Sequence, residues 1–112
     1  MIIRRALPEE SFALSELAKE AARYWGYPAD WLDYSQASLS FSAEFIKENE
    51  VYVADEGGEI RGFYSLGDRS KPEIAQLWIA PKHFGTGVGK DLFLHAKERL
   101  GLVREADEPP VR

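Results

Sequence analysis

The chain has 112 residues, 45% of them hydrophobic and 29% charged, with a formal net charge of −5 and no cysteine. That length makes one domain, with a real core but only about two thirds of its unfolded surface to bury. Disulfides, thiolate metal sites and an acyl-cysteine intermediate are excluded, and the acidic balance argues against nucleic acid as the main partner, because phosphate binding needs clustered Lys and Arg.

No apolar run reaches transmembrane length, so no membrane association is expected. Met1 to Arg5 lacks the long apolar segment of a secretory signal, so the expected compartment is the cytoplasm. Ile2 to Leu7 reads as a first strand. Pro8, Glu9 and Glu10 then suit a first helical turn, since Pro fits the first helical position and acids suit the positive end of the helix dipole. Leu14, Leu17, Ala18, Ala21 and Trp25 form the apolar stripe of that helix, which Gly26 and Pro28 end.

The run from Tyr24 to Tyr34 gathers Trp25, Tyr27, Trp31 and Tyr34 with Asp30 and Asp33. Aromatics at this spacing form either a core or interface patch or the wall of a ligand pocket. Asp30 can cap a second helix reaching about Leu39, and Ser42 to Asn49 can add a short helical segment. Val51 to Ala54 and Ile60 to Leu66 read as the arms of an antiparallel hairpin around Gly57 and Gly58, with Gly62 marking a bulge or a close approach.

From Ile74 to Leu100 the period changes. Leu77 and Ile79 alternate with Gln76 and Trp78 as in a strand, and Pro81 ends it. Beyond the turn Val88, Leu92, Ala96 and Leu100 recur at helical spacing, with Gly101 where a stop is expected. Gly85, Gly87 and Gly89 lie at the helix start, where main-chain N–H groups lack partners and the dipole is positive, and Lys82 and Lys90 flank them. This is the outline of a phosphate or diphosphate site. The glycines also fit a plain strand-to-helix turn. A Walker loop fits less well because Gly89-Lys90 is followed by Asp91, and so does a dinucleotide fingerprint because the spacing is G-x-G-x-G.

The run Leu77-Trp78-Ile79-Ala80-Pro81-Lys82-His83-Phe84-Gly85-Thr86-Gly87-Val88-Gly89 resembles the acetyl-CoA signature of the GNAT superfamily of N-acetyltransferases, a strand followed by R/Q-x-x-G-x-G/A and a helix. Gly87 and Gly89 fill the glycine positions, and Phe84 departs from the pattern where the family has Arg or Gln. The resemblance spans about Ile2 to Gly101. It implies an α+β fold, a GNAT-like mixed and mostly antiparallel sheet with helices on both faces, lacking the usual C-terminal strand-helix-strand portion. Residues 1–101 would form the acetyl-CoA-binding domain and 102–112 a short strand or a disordered tail.

The same resemblance implies acetyl-CoA as co-substrate and no metal. Leu77, Trp78 and Ile79 would bind the pantetheine arm, and Phe84, Gly85, Thr86, Gly87, Val88, Gly89 and Lys90 the diphosphate. Trp25, Tyr27, Trp31 and Tyr34 would line the pocket for an amine acceptor, small-molecule or protein. Glu73, in the position of a family base, and Tyr64 are the catalytic candidates. His83 and His95 read as a loop and a helix-face histidine. An open edge on the fourth strand would call for a homodimer. Two readings follow: an N-acetyltransferase acting directly on a primary amine, or a non-catalytic CoA-binding or dimerisation module of the same fold.

Overall fold

Alternation puts Val51 and Val53 on one face of a strand and Tyr52 and Ala54 on the other. In the computed structural model, which describes residues 1–24, 40–67 and 73–105, all four are buried, so the sheet is covered on both sides. The elements run β1 (Ile2–Arg5), a 3-10 turn (Pro8–Glu10), α1 (Ser11–Tyr24), α2 (Ala43–Glu48), β2 (Val51–Glu56), β3 (Glu59–Leu66), β4 (Ile74–Ile79), a second 3-10 turn (Pro81–His83) and α3 (Val88–Glu105). The strands lie in the order β1-β2-β3-β4, every pair antiparallel.

Two cores result. Leu14, Leu17, Ala18 and Ala22 of α1 and Ile46 of α2 meet Val51, Val53 and Phe63, with Trp78 packed against them. On the other face Val88, Leu92 and Ala96 of α3 meet Tyr52, Ala54, Tyr64 and Leu66, with Ile79 alongside. Each fully buried aliphatic or aromatic side chain contributes about 1.5–3 kcal/mol. The alternation expected of β4 holds, Trp78 facing α1 and Ile79 facing α3. A register shift between Ser65 and Leu66 brings Ile74 round to the α3 side.

Local chemistry explains the joins. Gly57 and Gly58 both take positive φ, 60° and 94°, which suits a two-residue hairpin turn, and the Gly58 N–H donates to Asp55 Oδ1. Ser42 caps α2 by accepting from the Phe45 N–H. Ser15, buried on α1, donates to the Ser11 carbonyl and accepts from the Phe41 N–H, tying α1 to the chain ahead of α2. At Gly62 an added Cβ would lie 2.9 Å from Ile79 Cδ1 and the Trp78 carbonyl and 3.0 Å from Leu92 Cδ1, so glycine there admits α3 to the sheet.

Three boundaries differ from the sequence reading. β1 ends at Arg5 because the Leu7 N–H is taken by the Glu10 carboxylate, which starts the helical turn. The α-helix proper begins at Ser11, after a 3-10 turn, rather than at Pro8. The expected stop at Gly101 is overrun, and α3 continues to Glu105, so the segment just past Gly101 is helical rather than a strand. A helical glycine costs about 1 kcal/mol against alanine, which its neighbours outweigh here. Residues 106–112 lie outside the described residues, as do Trp25, Tyr27, Asp30, Trp31, Asp33 and Tyr34.

Candidate active site

β4 leads directly into the glycine turn. Its last ladder bond runs from the Ala80 N–H to the Arg61 carbonyl at 2.9 Å, after which Pro81 has no N–H to continue. The Phe84 N–H then bonds the Pro81 carbonyl, and Thr86 closes the turn by donating to the His83 carbonyl from both its N–H (3.3 Å) and its hydroxyl (2.6 Å). Gly85 and Gly87 take φ of 78° and 93°, a region in which L side chains are strained, and nothing lies within 4 Å of where their Cβ atoms would stand. Both face open space. Gly89 differs: its φ is ordinary and an added Cβ would only touch Ile79, so this third glycine is not demanded by backbone geometry.

α3 starts at Val88, and its first completed bond is from the Asp91 N–H to the Gly87 carbonyl. The amides of Val88, Gly89 and Lys90 therefore precede any helical carbonyl that could accept from them. Among the described residues the N–H groups of Gly85, Gly87, Val88, Gly89 and Lys90 have no protein acceptor. Such a row at the positive end of an 18-residue helix is suited to a diphosphate.

The flanking charges differ from expectation. Lys82 is paired with Glu59 at 2.6 Å, from the tip of the β2–β3 hairpin, and the same carboxylate lies 3.4 Å from His83 Nε2 and 3.6 Å from Arg61 Nε. Lys82 above all, and the nearby His83 next, hold the Glu59 carboxyl below the ordinary range. The positive charge of Lys82 is thus partly spent on a structural pair. Lys90, exposed on the first turn of α3, has no acidic partner within salt-bridge distance among the described residues. Phe84 points its ring at Tyr24, at the end of α1. Beside that contact a cleft of about 470 Å³ opens between Glu20, Arg23 and Tyr24 of α1 and Pro81 and Lys82.

Among the described residues no strand pairs with the outer edge of β4. The Ala80 bond fixes the alternation: N–H and C=O groups of Gln76, Trp78 and Ala80 turn toward β3, and those of Leu77 and Ile79 turn outward. Of the three residues expected to bind the arm, Leu77 and Ile79 turn main-chain donors and acceptors to that edge, whereas those of Trp78 are turned toward β3. The Trp78 side chain leaves on the α1 face, where its indole N–H donates to Gln76 Oε1 at 2.7 Å.

The two catalytic candidates are separated. Glu73 is exposed, in the bend just before β4, with its carbonyl accepting the Gly67 N–H at 2.7 Å. Tyr64 is completely buried beneath α3, its hydroxyl hydrogen-bonded with His95 Nδ1 at 2.7 Å and its ring stacked on Tyr52 at 5.3 Å. Burial first, and the neighbouring Tyr52 next, push the Tyr64 hydroxyl above its ordinary pKa. The cluster extends to the surface, where the Tyr52 hydroxyl donates to Glu50 Oε1 and Arg99 pairs with the same oxygen at 2.8 Å. Burial tends to raise the Glu50 carboxyl, but these two bonds outweigh it and hold the group low. His95 thus has an inward partner that a helix-face reading misses. Its spacing with Leu92, Ala96 and Arg99 on α3 was the available signal.

Comparison with known proteins agrees with this geometry. The acetyltransferase (GNAT) domain family matches residues 47–109. A 5-NmdU N-acetyltransferase of Pseudomonas phage PaMx11 is 34% identical over 98 residues, covering 85% of this chain and 65% of that relative. The chain thus spans less than two thirds of the curated relative it matches. Two solved structures share the fold. The PaiA N-acetyltransferase of Thermoplasma acidophilum, in complex with coenzyme A, superposes with a TM-score of 0.75 at 21% identity, over 89% of this chain and 71% of its own. A GCN5-related N-acetyltransferase of Rhodopseudomonas palustris does so with 0.73 at 20% identity, over 90% and 66%.

Proposed function

The chain belongs to the GNAT acetyltransferase family, and from that premise we propose that it moves an acetyl group from acetyl-CoA directly to a primary amine. The observation that carries this reading is the continuity of the open β4 edge with the amides of Gly85, Gly87, Val88, Gly89 and Lys90, which have no acceptor among the described residues. A diphosphate held at the turn lays its thioester arm back along β4, where the outward N–H and C=O groups of Leu77 and Ile79 pair with the amide groups of the arm as a strand would. A main-chain N–H beside the thioester carbonyl stabilises the oxyanion that forms there. Side-chain identity matters little for either contact, which is why Phe84 at the motif position is compatible with it. Coenzyme A in the Thermoplasma PaiA complex, and the N-acetyl transfer in the name of the phage relative, support a CoA thioester as the ligand and a nitrogen as the acceptor.

In the step itself the amine nitrogen attacks the thioester carbonyl carbon. A C–N bond forms, the C–S bond breaks, the nitrogen loses one proton and the departing CoA thiolate gains one. The amine must be neutral to attack, and at pH 7 that costs about 4–5 kcal/mol for a lysine-like amine of pKa about 10.4. Glu73, exposed at the start of β4, is the proposed base. Tyr64, buried against His95, is assigned packing instead. Trp25, Tyr27, Trp31 and Tyr34 remain the proposed acceptor wall, and a second subunit along the β4 edge the proposed cover. The compartment proposed is the cytoplasm.

Phe84 in place of a polar motif residue favours the second reading, a non-catalytic CoA-binding or dimerisation module. Thiol release from acetyl-CoA, followed with a panel of primary amines, separates the two. Amine-dependent thiol release supports transfer. Calorimetric CoA binding without turnover of any amine supports the module. Sedimentation that gives a monomer both with and without CoA would contradict the dimer.

A further inference from the structure

Gln76 and Trp78 share the α1 face of β4, and one hydrogen bond between them decides what Gln76 can offer a ligand. The donor is the indole N–H, which has no acceptor capacity, so the 2.7 Å contact must involve the amide oxygen of Gln76. Trp78 is packed against the core beneath α1 and cannot follow the amide if it turns. The amide NH₂ is therefore the end left available, carrying two donors. Across the ladder the register partner of Gln76 is Ser65 on β3. Ser65 is fully buried, and its Oγ has no hydrogen-bond partner among the described residues. An orphaned hydroxyl of this kind costs about 1–3 kcal/mol and calls for an explanation. It marks the same stretch of this face as polar where an apolar side chain would pack without cost.

Position along β4 says which ligand these groups meet. The diphosphate turn follows Ile79, so an arm laid back along the strand passes Ile79 and then Leu77, and Gln76 comes after both. Resting on the acetyl-transfer reading above, we infer that Gln76 is a specificity-determining residue for the acceptor. Its NH₂ donates to a carbonyl or hydroxyl oxygen carried near the reacting amine. Trp78 is a positioning residue that fixes which end of the amide is presented. The substrate class is accordingly an oxygen-bearing primary amine rather than a hydrocarbon amine.

The test pairs glycinamide with isobutylamine, two primary amines of equal heavy-atom count of which only the first carries the oxygen. With acetyl-CoA saturating, the ratio of kcat/KM for glycinamide to that for isobutylamine is expected to fall about five- to tenfold in Gln76→Leu. A smaller fall is expected in Trp78→Phe, which keeps the packing and frees the amide to turn. CoA affinity by calorimetry should be unchanged in Gln76→Leu. A ratio equal to wild type in Gln76→Leu overturns the inference. A second readout does not depend on turnover: the Gln76 side-chain amide resonances, assigned by their loss in Gln76→Leu, should shift when glycinamide is added to the CoA complex and stay put with isobutylamine. If neither amine is acetylated but those resonances still shift with glycinamide alone, the acetyl-transfer reading fails while the recognition role stands. If they respond to neither amine, or to both alike, the recognition role fails.

Discussion

The ring of Phe84 meets the ring of Tyr24 edge to face, with centroids 4.8 Å apart and planes at 80°. The residue that departs from the family signature is therefore seated against the end of α1, where it braces the turn whose amides form the proposed diphosphate site. Such pairs contribute about 0.5–1.5 kcal/mol beyond their buried area. Phe84→Ala and Tyr24→Ala should each weaken CoA binding by up to about tenfold, and Tyr24→Phe should restore it. Isothermal calorimetry reads all three. Unchanged affinity in both alanine variants would mean that the turn holds its shape without the contact.

Gly87 sits at φ 93° with open space around it, so the cost of a side chain there is backbone strain and loss of ligand access, not a clash. Gly87→Val should abolish measurable CoA binding, since a left-handed conformation costs an L residue about 1–2 kcal/mol and a branched side chain also covers the amides. Gly57, at φ 60° in the hairpin, provides the comparison. Gly57→Ala should lower the melting temperature and leave CoA affinity alone, because its strain falls in the β2–β3 turn and touches none of the amides in the row.

At Gly62 the prediction concerns stability. A methyl group there would lie within 3 Å of Ile79 and the Trp78 carbonyl, so α3 would have to lift from the sheet. Gly62→Ala is expected to destabilise the fold by about 1–3 kcal/mol. Denaturant unfolding measures it, and a stability equal to wild type would show that α3 moves without cost.

These three glycines also show how much the sequence disclosed. Gly57 and Gly87 sit between segments of clear period, so the turns they serve were readable, and so were the strands and the helix they join. Gly62 could be read only as a bulge or a close approach, because which neighbour comes near depends on tertiary packing. The pairing of Lys82 with Glu59 was invisible for the same reason, the two being brought together by the hairpin. Gly101 misled because a local stop signal is weak against the packing of a long helix. Gln76 and Trp78 were legible in principle, since residues two apart on a strand share a face, but the direction of their hydrogen bond was not. Tyr64 was read as a catalytic candidate because alternation gives a residue's face and not its depth, and its full burial could not be seen.

Acid stability should reveal a cluster remote from the site. Arg4 bonds both Glu10 carboxylate oxygens and Asp55 Oδ2. Its guanidinium, above all, holds the Glu10 carboxyl below its ordinary value of 4.5, assisted by the Leu7 N–H against the opposing effect of burial. Asp55 is likewise lowered, first by Arg4 and then by the Gly58 N–H. Because both folded pKa values are depressed, the stabilisation is complete above the unfolded values and is lost as pH falls through the folded ones. Urea unfolding should therefore give a midpoint that falls below about pH 4.5, and Arg4→Gln should flatten that acid limb. An identical acid limb in Arg4→Gln would assign it to other groups.

A diphosphate held by the free amides of the glycine turn, with its thioester arm directed along β4, is read out by amide chemical shifts of the full chain recorded while acetyl-CoA is added. The largest movements are expected at Gly85, Gly87, Val88, Gly89 and Lys90, followed by Leu77 and Ile79, with the hairpin glycines unmoved. Saturation of the protein with acetyl-CoA while those seven amides stay in place would contradict that placement.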